Sequence, residues 1–123
     1  LSDGELDEGS NWESLLFSSH HKLNNLVIII DYNKLQSIDF VKNTLNLEPL
    51  KQKFQSFGCK VVSVDGHNFK QLEKVLSSSS TKPLVIIANT IKGKGVSFME
   101  NSVLWHYKSL NSEDYQKAMK IIK

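Results

Sequence analysis

Three short runs rich in aliphatic and β-branched residues punctuate this chain, at positions 27–30, 60–64 and 84–88. Each is short and bounded by polar or turn-forming residues, so each reads as a strand. The first, Val27-Ile28-Ile29-Ile30, is continuous rather than alternating, the form expected of a strand covered on both faces. Between the runs the apolar positions recur at helical spacing. Trp12, Leu15, Leu16 and Ser19 predict a helix over 11–22 that packs this face inward. Leu50, Phe54 and Phe57 stand at i, i+4 and i+7 of a helix over 48–57, which Gly58 stops. A third helix, 68–76, follows the Asp65-Gly66 turn, and 77–81 is a serine-rich, solvated connector. A last helix opens at Ser112 with Glu113 and Asp114 in its first turn and Tyr115, Met119 and Ile122 on one face. Strand–helix–strand order of this kind predicts an α/β fold, a parallel sheet with flanking helices and right-handed crossovers. No internal repeat is evident.

Composition narrows the function classes. The 123 residues fit one domain, and 40% apolar residues allow a real core. A net charge of +2, with no basic stripe or interleaved aromatic pattern, gives no footprint for nucleic acid. No apolar stretch approaches 18 residues and no charged-then-apolar leader stands at the front of these residues, so neither a membrane span nor a signal peptide is visible in them. The single Cys59 precludes an intrachain disulfide and fits a reducing compartment; the cytoplasm is taken as the default location.

Two polar segments carry candidate chemistry. Asp3-Gly4-Glu5 stands before a helix start, and the first strand delivers Asp31-Tyr32-Asn33. An Asp on a glycine turn and an Asn at a strand end can share one hard cation. Mg²⁺ takes about six oxygen ligands, with only one or two carboxylates beside phosphate oxygens and water. Asp3 would supply a carboxylate, Asn33 its amide oxygen and Leu35 a backbone carbonyl. Gly4 would let the chain approach a phosphate without a Cβ in the way. The helix beginning near Ser10 could turn its amide donors toward that phosphate. Asp-Gly by itself usually marks a plain turn.

The second segment, 91–111, is long for a connection inside a compact domain and reads as a phosphate-contacting flap carrying Lys92, Lys94, Trp105 and His106. It lacks the Walker order of residues, and Lys-Gly-Lys-Gly also suits a basic turn. Ser10-Asn11-Trp12-Glu13 has the form of a capping box, which accounts for Glu13. Glu8 meets no such local demand. His20 and His21 point about 100° apart on a helix and make a poor metal pair. His67 begins a helix and is given no chemistry. Cys59 lacks a neighbouring base in sequence and is no candidate nucleophile.

The run from Ser2 to Glu13, then Lys22-Leu23-Asn24-Asn25-Leu26, Asp31-Tyr32-Asn33, the stretch from Thr90 to Asn101 and Trp105-His106 together resemble transketolases. The likeness is strongest to the half-length N-terminal chain of split transketolases and extends from Ser2 to about His106. Thiamine-diphosphate enzymes share a Gly-Asp-Gly motif followed roughly thirty positions later by Asn, as Asp3 and Asn33 are here. The resemblance implies a thiamine-diphosphate-binding domain of which residues 1–123 are the C-terminal portion, the strand before the Asp3 loop lying upstream of Leu1. It implies thiamine diphosphate and Mg²⁺ as cofactors, with Asp3, Asn33 and Leu35 on the metal and Asp3, Gly4, Glu5, Asn33, Lys92 and His106 around the cofactor. Glu8 and His106 are its implied catalytic residues, Glu8 within a proton-sharing network near a dimer interface.

The implied reaction moves a two-carbon ketol unit from a ketose phosphate to an aldose phosphate. The implied partner is a C-terminal transketolase section or the remainder of a longer chain, which brings the acid that activates the aminopyrimidine. Assembly as a homo-oligomer or heterotetramer follows, and the isolated chain is expected to be inactive. Two positions depart from the family pattern: Ser2 stands where glycine is usual, and Tyr107 follows Trp105-His106 in place of glycine. A degenerate homologue that keeps fold and interface without catalysis, and another thiamine-diphosphate enzyme component, both remain open at this level.

Overall fold

A computed structural model describes residues 1–122. A three-stranded sheet forms the centre, built from β1 (Val27–Tyr32), β2 (Lys60–Asp65) and β3 (Leu84–Asn89). All pairings are parallel and the spatial order is β1-β3-β2. Each strand runs one or two residues beyond its predicted end, because Asp31, Tyr32, Asp65 and Asn89 continue the ladder in register. The helices are α1 (Gly9–His20), α2 (Val41–Thr44), α3 (Leu50–Ser56), α4 (Phe69–Leu76) and α5 (Ser112–Ile121). Two short helical turns, Gly4–Asp7 and Val103–His106, flank the sheet's carboxyl ends in sequence.

Register decides which residues share a face. Ile28, Ile30 and Tyr32 of β1 lie level with Val85, Ile87 and Asn89 of β3, and the apolar members of this set face α1 and α3. There Leu6, Leu15, Leu50 and Phe54 close the larger core, with Trp12 stacked on Phe54 at 5.2 Å between ring centres. The opposite face is smaller: Val64, Leu84, Ile86 and Ala88 pack against Leu72 and Val75 of α4. The two crossovers thus run in opposite directions along the sheet and lie on opposite faces, which gives them the same hand, as parallel units require.

Several expectations change. β1 is covered on one face only, since Val27 and Ile29 remain 41% and 43% exposed. On α1 the inward positions are Leu15 and Ser18, while Leu16 points outward. Ser18 can be buried because its hydroxyl donates to Ser14 O at 2.6 Å. Ser10 and Glu13 form no box: α1 already opens at Gly9, Glu8 is its N-cap, and no side-chain cap bond is found there. On α5 it is Ala118 that is buried, and Tyr115, Met119 and Ile122 are exposed. Asn68 and Asn111 cap α4 and α5 through their side chains. Among the described residues no helix is long and apolar enough to cross a membrane.

Phe54 is fully buried at the meeting of α1, α3 and the sheet. Phe54→Ala should destabilise the chain by about 3–5 kcal/mol, read as a lower urea midpoint with an unchanged slope.

Candidate functional site

The turn Gly4–Asp7 is held by a reciprocal pair of bonds. Ser2 N–H donates to Glu5 Oε2 at 2.6 Å, and Glu5 N–H donates to Ser2 Oγ at 3.2 Å. This is a capping box one motif earlier than the expected one. Ser2 sits at negative φ, so a side chain is accommodated where glycine is usual. The turn is tied to α1 by Asn11 Nδ2, which donates to Glu5 O at 2.6 Å, and by Trp12 Nε1, which donates to Leu6 O at 2.8 Å.

At the carboxyl end of β1 the chain turns through Lys34, whose φ of 65° lies in the left-handed region. That conformation lets Lys34 N–H donate to Asp3 Oδ2 at 2.7 Å, joining segments 31 residues apart. Asn33 Oδ1 accepts from Leu35 N–H at 2.9 Å, a local turn that fixes the amide oxygen. Asp3 is only 1% exposed. Burial raises its carboxyl above the usual carboxylate range, opposed by backbone N–H bonds from Lys34 and Gly4 and reinforced by the charge of Asp31.

The end of β3 completes the wall. Thr90 Oγ1 donates to Asp31 Oδ1, and Lys92 follows two residues on. Segment 91–111 is folded rather than an open flap: Val96 is buried, Trp105 Nε1 donates to Phe98 O at 3.0 Å, and Val103–His106 forms a helical turn. The Tyr107 hydroxyl donates to Ser37 O, which brings His106 back over the loop after β1.

These pieces enclose a cavity of about 570 Å³ at the carboxyl ends of the strands, where ligands of open parallel sheets bind. Asp3, Gly4, Glu5, Glu8, Asn33, Leu35, Lys92 and His106 all line it, so every site residue expected from the sequence arrives at one place. Asp7, Asp31, Gln36 and Ser37 line it too and were not anticipated. Asp31 could have been picked out by its place near a strand end. Gln36, buried with its Nε2 unpaired, gives no sequence signal.

The cavity is acidic: Asp3, Glu5, Asp7, Glu8 and Asp31 face Lys92 and His106. The ion pairs found among the described residues, Lys108–Asp114 and Lys117–Glu113, lie outside it. A buried carboxylate with a second close by and no protein cation paired to it is a donor set for a hard metal ion. Among the described residues no three or more His, Cys, Asp or Glu side chains are grouped to share one ion; a carboxylate joined by amide and carbonyl oxygens would suit Mg²⁺ more than zinc. A Cβ on Gly4 would meet Gln36 Cγ at 3.6 Å and Ser2 Oγ at 4.0 Å, ordinary contacts, so the fold itself does not demand glycine.

The family described as transketolase, thiamine diphosphate binding domain, matches residues 1–122. The chain belongs to the transketolase family. It is 42% identical over 123 residues to an apulose-4-phosphate transketolase subunit of Actinobacillus succinogenes, covering 98% of this chain and 45% of that protein. It is 39% identical over 110 residues to human transketolase, covering 89% of this chain and 18% of the human protein. The crystal structure of Campylobacter jejuni transketolase superposes with a TM-score of 0.86 at 35% identity, over 97% of this chain and 19% of that one. The chain thus spans less than half the length of these transketolases, and the α/β fold expected from the strand–helix alternation is the transketolase fold.

Because the folded chain holds the Asp3 proton more tightly than the unfolded one does, the stability due to Asp3 is greatest at low pH and is lost as pH rises through its raised folded value. Asp3→Asn, which keeps an acceptor for Lys34 N–H, should raise the ligand-free melting temperature at pH 7.5. It should also flatten the pH dependence on the acid side. Equal melting curves for the two proteins would show that Asp3 is not a strained carboxylate.

Proposed function

We propose that this chain supplies the metal- and diphosphate-binding part of a site that transfers a two-carbon ketol unit from a ketose phosphate to an aldose phosphate. The observation that carries the reading is the convergence of the Asp3 turn and the Asn33 strand end on one acidic cavity, with Lys92 and His106 on its wall. Asp3 and Asn33 would hold Mg²⁺ with the Leu35 carbonyl, and Gly4, Lys92 and His106 would receive the diphosphate of thiamine diphosphate. The excess of carboxylates calls for that cation, because an unaccompanied diphosphate would be repelled.

When bound, thiamine diphosphate supplies the carbanion-stabilising chemistry. The chain's own residues bind, orient and move protons. Glu5 acts at one remove, its carboxylate engaged by Ser2 N–H so that Gly4 is held at the cavity edge. Glu8, at the N-cap of α1 and on the same wall, would take part in a proton-sharing network serving the cofactor. His106, on the cavity wall, would contact the diphosphate or polarise the sugar carbonyl. Ser2 and Tyr107, the two departures from the family pattern, speak for a working site: Ser2 closes the box around the turn, and Tyr107 ties the His106 turn to Ser37.

The relatives that are named as transketolase subunits are about twice the length matched here. We further propose that residues 1–123 are the C-terminal portion of the thiamine-diphosphate-binding domain, working in the cytoplasm as part of a homo-oligomer or heterotetramer. A C-terminal transketolase section would bring the acid that activates the aminopyrimidine, and the isolated chain would not turn over.

Calorimetric titration of thiamine diphosphate with Mg²⁺, on the chain alone and mixed with a C-terminal transketolase section, tests the assignment. Saturable binding should be abolished by Asn33→Ala with the circular dichroism of the fold retained. Binding by that variant as tight as the parent's would remove Asn33 from the metal. Gly4→Ala should leave the ligand-free melting temperature within about 1 °C while weakening the cofactor by roughly tenfold, the effect of about 1.4 kcal/mol. Unchanged affinity in that variant would place the diphosphate elsewhere.

A further inference from the structure

His67 lies outside the cavity, on the turn between β2 and α4, and neither the fold nor the proposed reaction has used it. Its Nε2 accepts the backbone N–H of Ile91 at 2.8 Å. An imidazole nitrogen accepts only when it carries no proton, so this bond requires the neutral ring. Ile91 immediately precedes Lys92, whose carbonyl accepts from Asn101 N–H at 3.0 Å and closes the loop 92–101. Within that loop Gly93 has φ of 75°, and a Cβ there would come within 2.7 Å of Met99 O. The loop is therefore compact, and its orientation is set where it leaves β3.

The turn that carries His67 is built to aim the ring. Asp65 Oδ1 accepts from His67 N–H at 2.9 Å, Gln71 Oε1 accepts from Asp65 N–H at 3.1 Å, and Asn68 Oδ1 accepts from Gln71 N–H at 3.1 Å. Gly66 N–H donates to Asn89 O at 2.8 Å. A Cβ on Gly66 would meet Thr90 Cγ2 at 2.5 Å, so glycine is needed for this approach. Three consecutive residues after the β3 core are thereby fastened: Asn89 by Gly66, Thr90 by Tyr32 O and Asp31, and Ile91 by His67. The first two follow from sheet pairing and its neighbours. The third comes from a side chain that the sheet itself does not place.

We propose that His67 is a positioning residue, a latch whose neutral imidazole fixes the base of the 92–101 loop and through it the place of Lys92 in the cavity wall. The part concerning Lys92 as a cofactor contact rests on the function proposed above; the latch itself does not.

Amide hydrogen exchange followed by NMR on the full chain, with calorimetry of thiamine diphosphate and Mg²⁺, tests both parts. His67→Leu removes the acceptor, His67→Gln offers an amide oxygen at similar reach, and His67→Asn offers one too short to arrive. Exchange at Ile91 should speed up about five- to tenfold in the Leu and Asn variants, the loss expected of one hydrogen bond, and return to parent values in the Gln variant. Cofactor affinity should fall and recover in the same order. Ile91 protection equal to the parent's in His67→Leu, or no recovery in His67→Gln, would overturn the latch. Lost protection with unchanged affinity would overturn its role in placing Lys92. If His67→Leu fails to fold, the Gln and Asn pair decides the question in the same way. If the parent binds no cofactor, the proposed function fails separately. Exchange at Asn101, whose N–H reports the Lys92 carbonyl, then decides the latch: protection unchanged in His67→Asn would overturn it.

Discussion

One hydrogen bond organises the site, the donation of Lys34 N–H to the buried carboxylate of Asp3. It joins the turn that precedes α1 to the turn that follows β1, and neither turn has the other's residues near it in sequence. Lys34 must adopt a left-handed conformation to make it, a conformation that costs a residue with a side chain about 1–2 kcal/mol. Asp3 must lose its water to accept it. Two unfavourable choices thus support each other, a pattern found where a structure is shaped for binding rather than for stability alone. Asn33 and Leu35 are brought to the cavity by the same turn.

The parallel sheet turns this local tie into a site. With β3 between β1 and β2, the carboxyl ends of β1 and β3 are neighbours, and Thr90 can reach Asp31. Segments that are distant in the chain, 2–8, 31–37 and 90–106, then meet without a dedicated scaffold. The unequal cover of the sheet follows from the same order. α3 and α1 close one face across all three strands, whereas α4 reaches β2 and β3 and leaves β1 half bare.

Much of this was legible in the sequence, for identifiable reasons. The strands were readable because β-branched runs that short have little alternative to a sheet interior. Asp3, Gly4, Asn33, Lys92 and His106 were readable because their order and spacing follow a family pattern. What escaped the sequence depended on pairings it does not display. Ser18 was invisible as a core position because it hides its hydroxyl on a carbonyl of its own helix. His67 needed Ile91, a partnership that exists only once β3 has been placed in register beside β2. The box motif occurred twice, at Ser2–Glu5 and Ser10–Glu13, and only the bonded turn could show which one closes.

The acidic lining of the cavity has a kinetic consequence. Five carboxylates around a space that holds one lysine make its entrance attractive to a divalent cation and repulsive to a free polyphosphate. On the function proposed above, the cation is then favoured to enter first or in a preformed complex with the polyphosphate. The occupancy of such a site would track the free metal concentration of its surroundings before it tracked the supply of the organic molecule, so that an ion common to many enzymes becomes the gatekeeper for a scarce one.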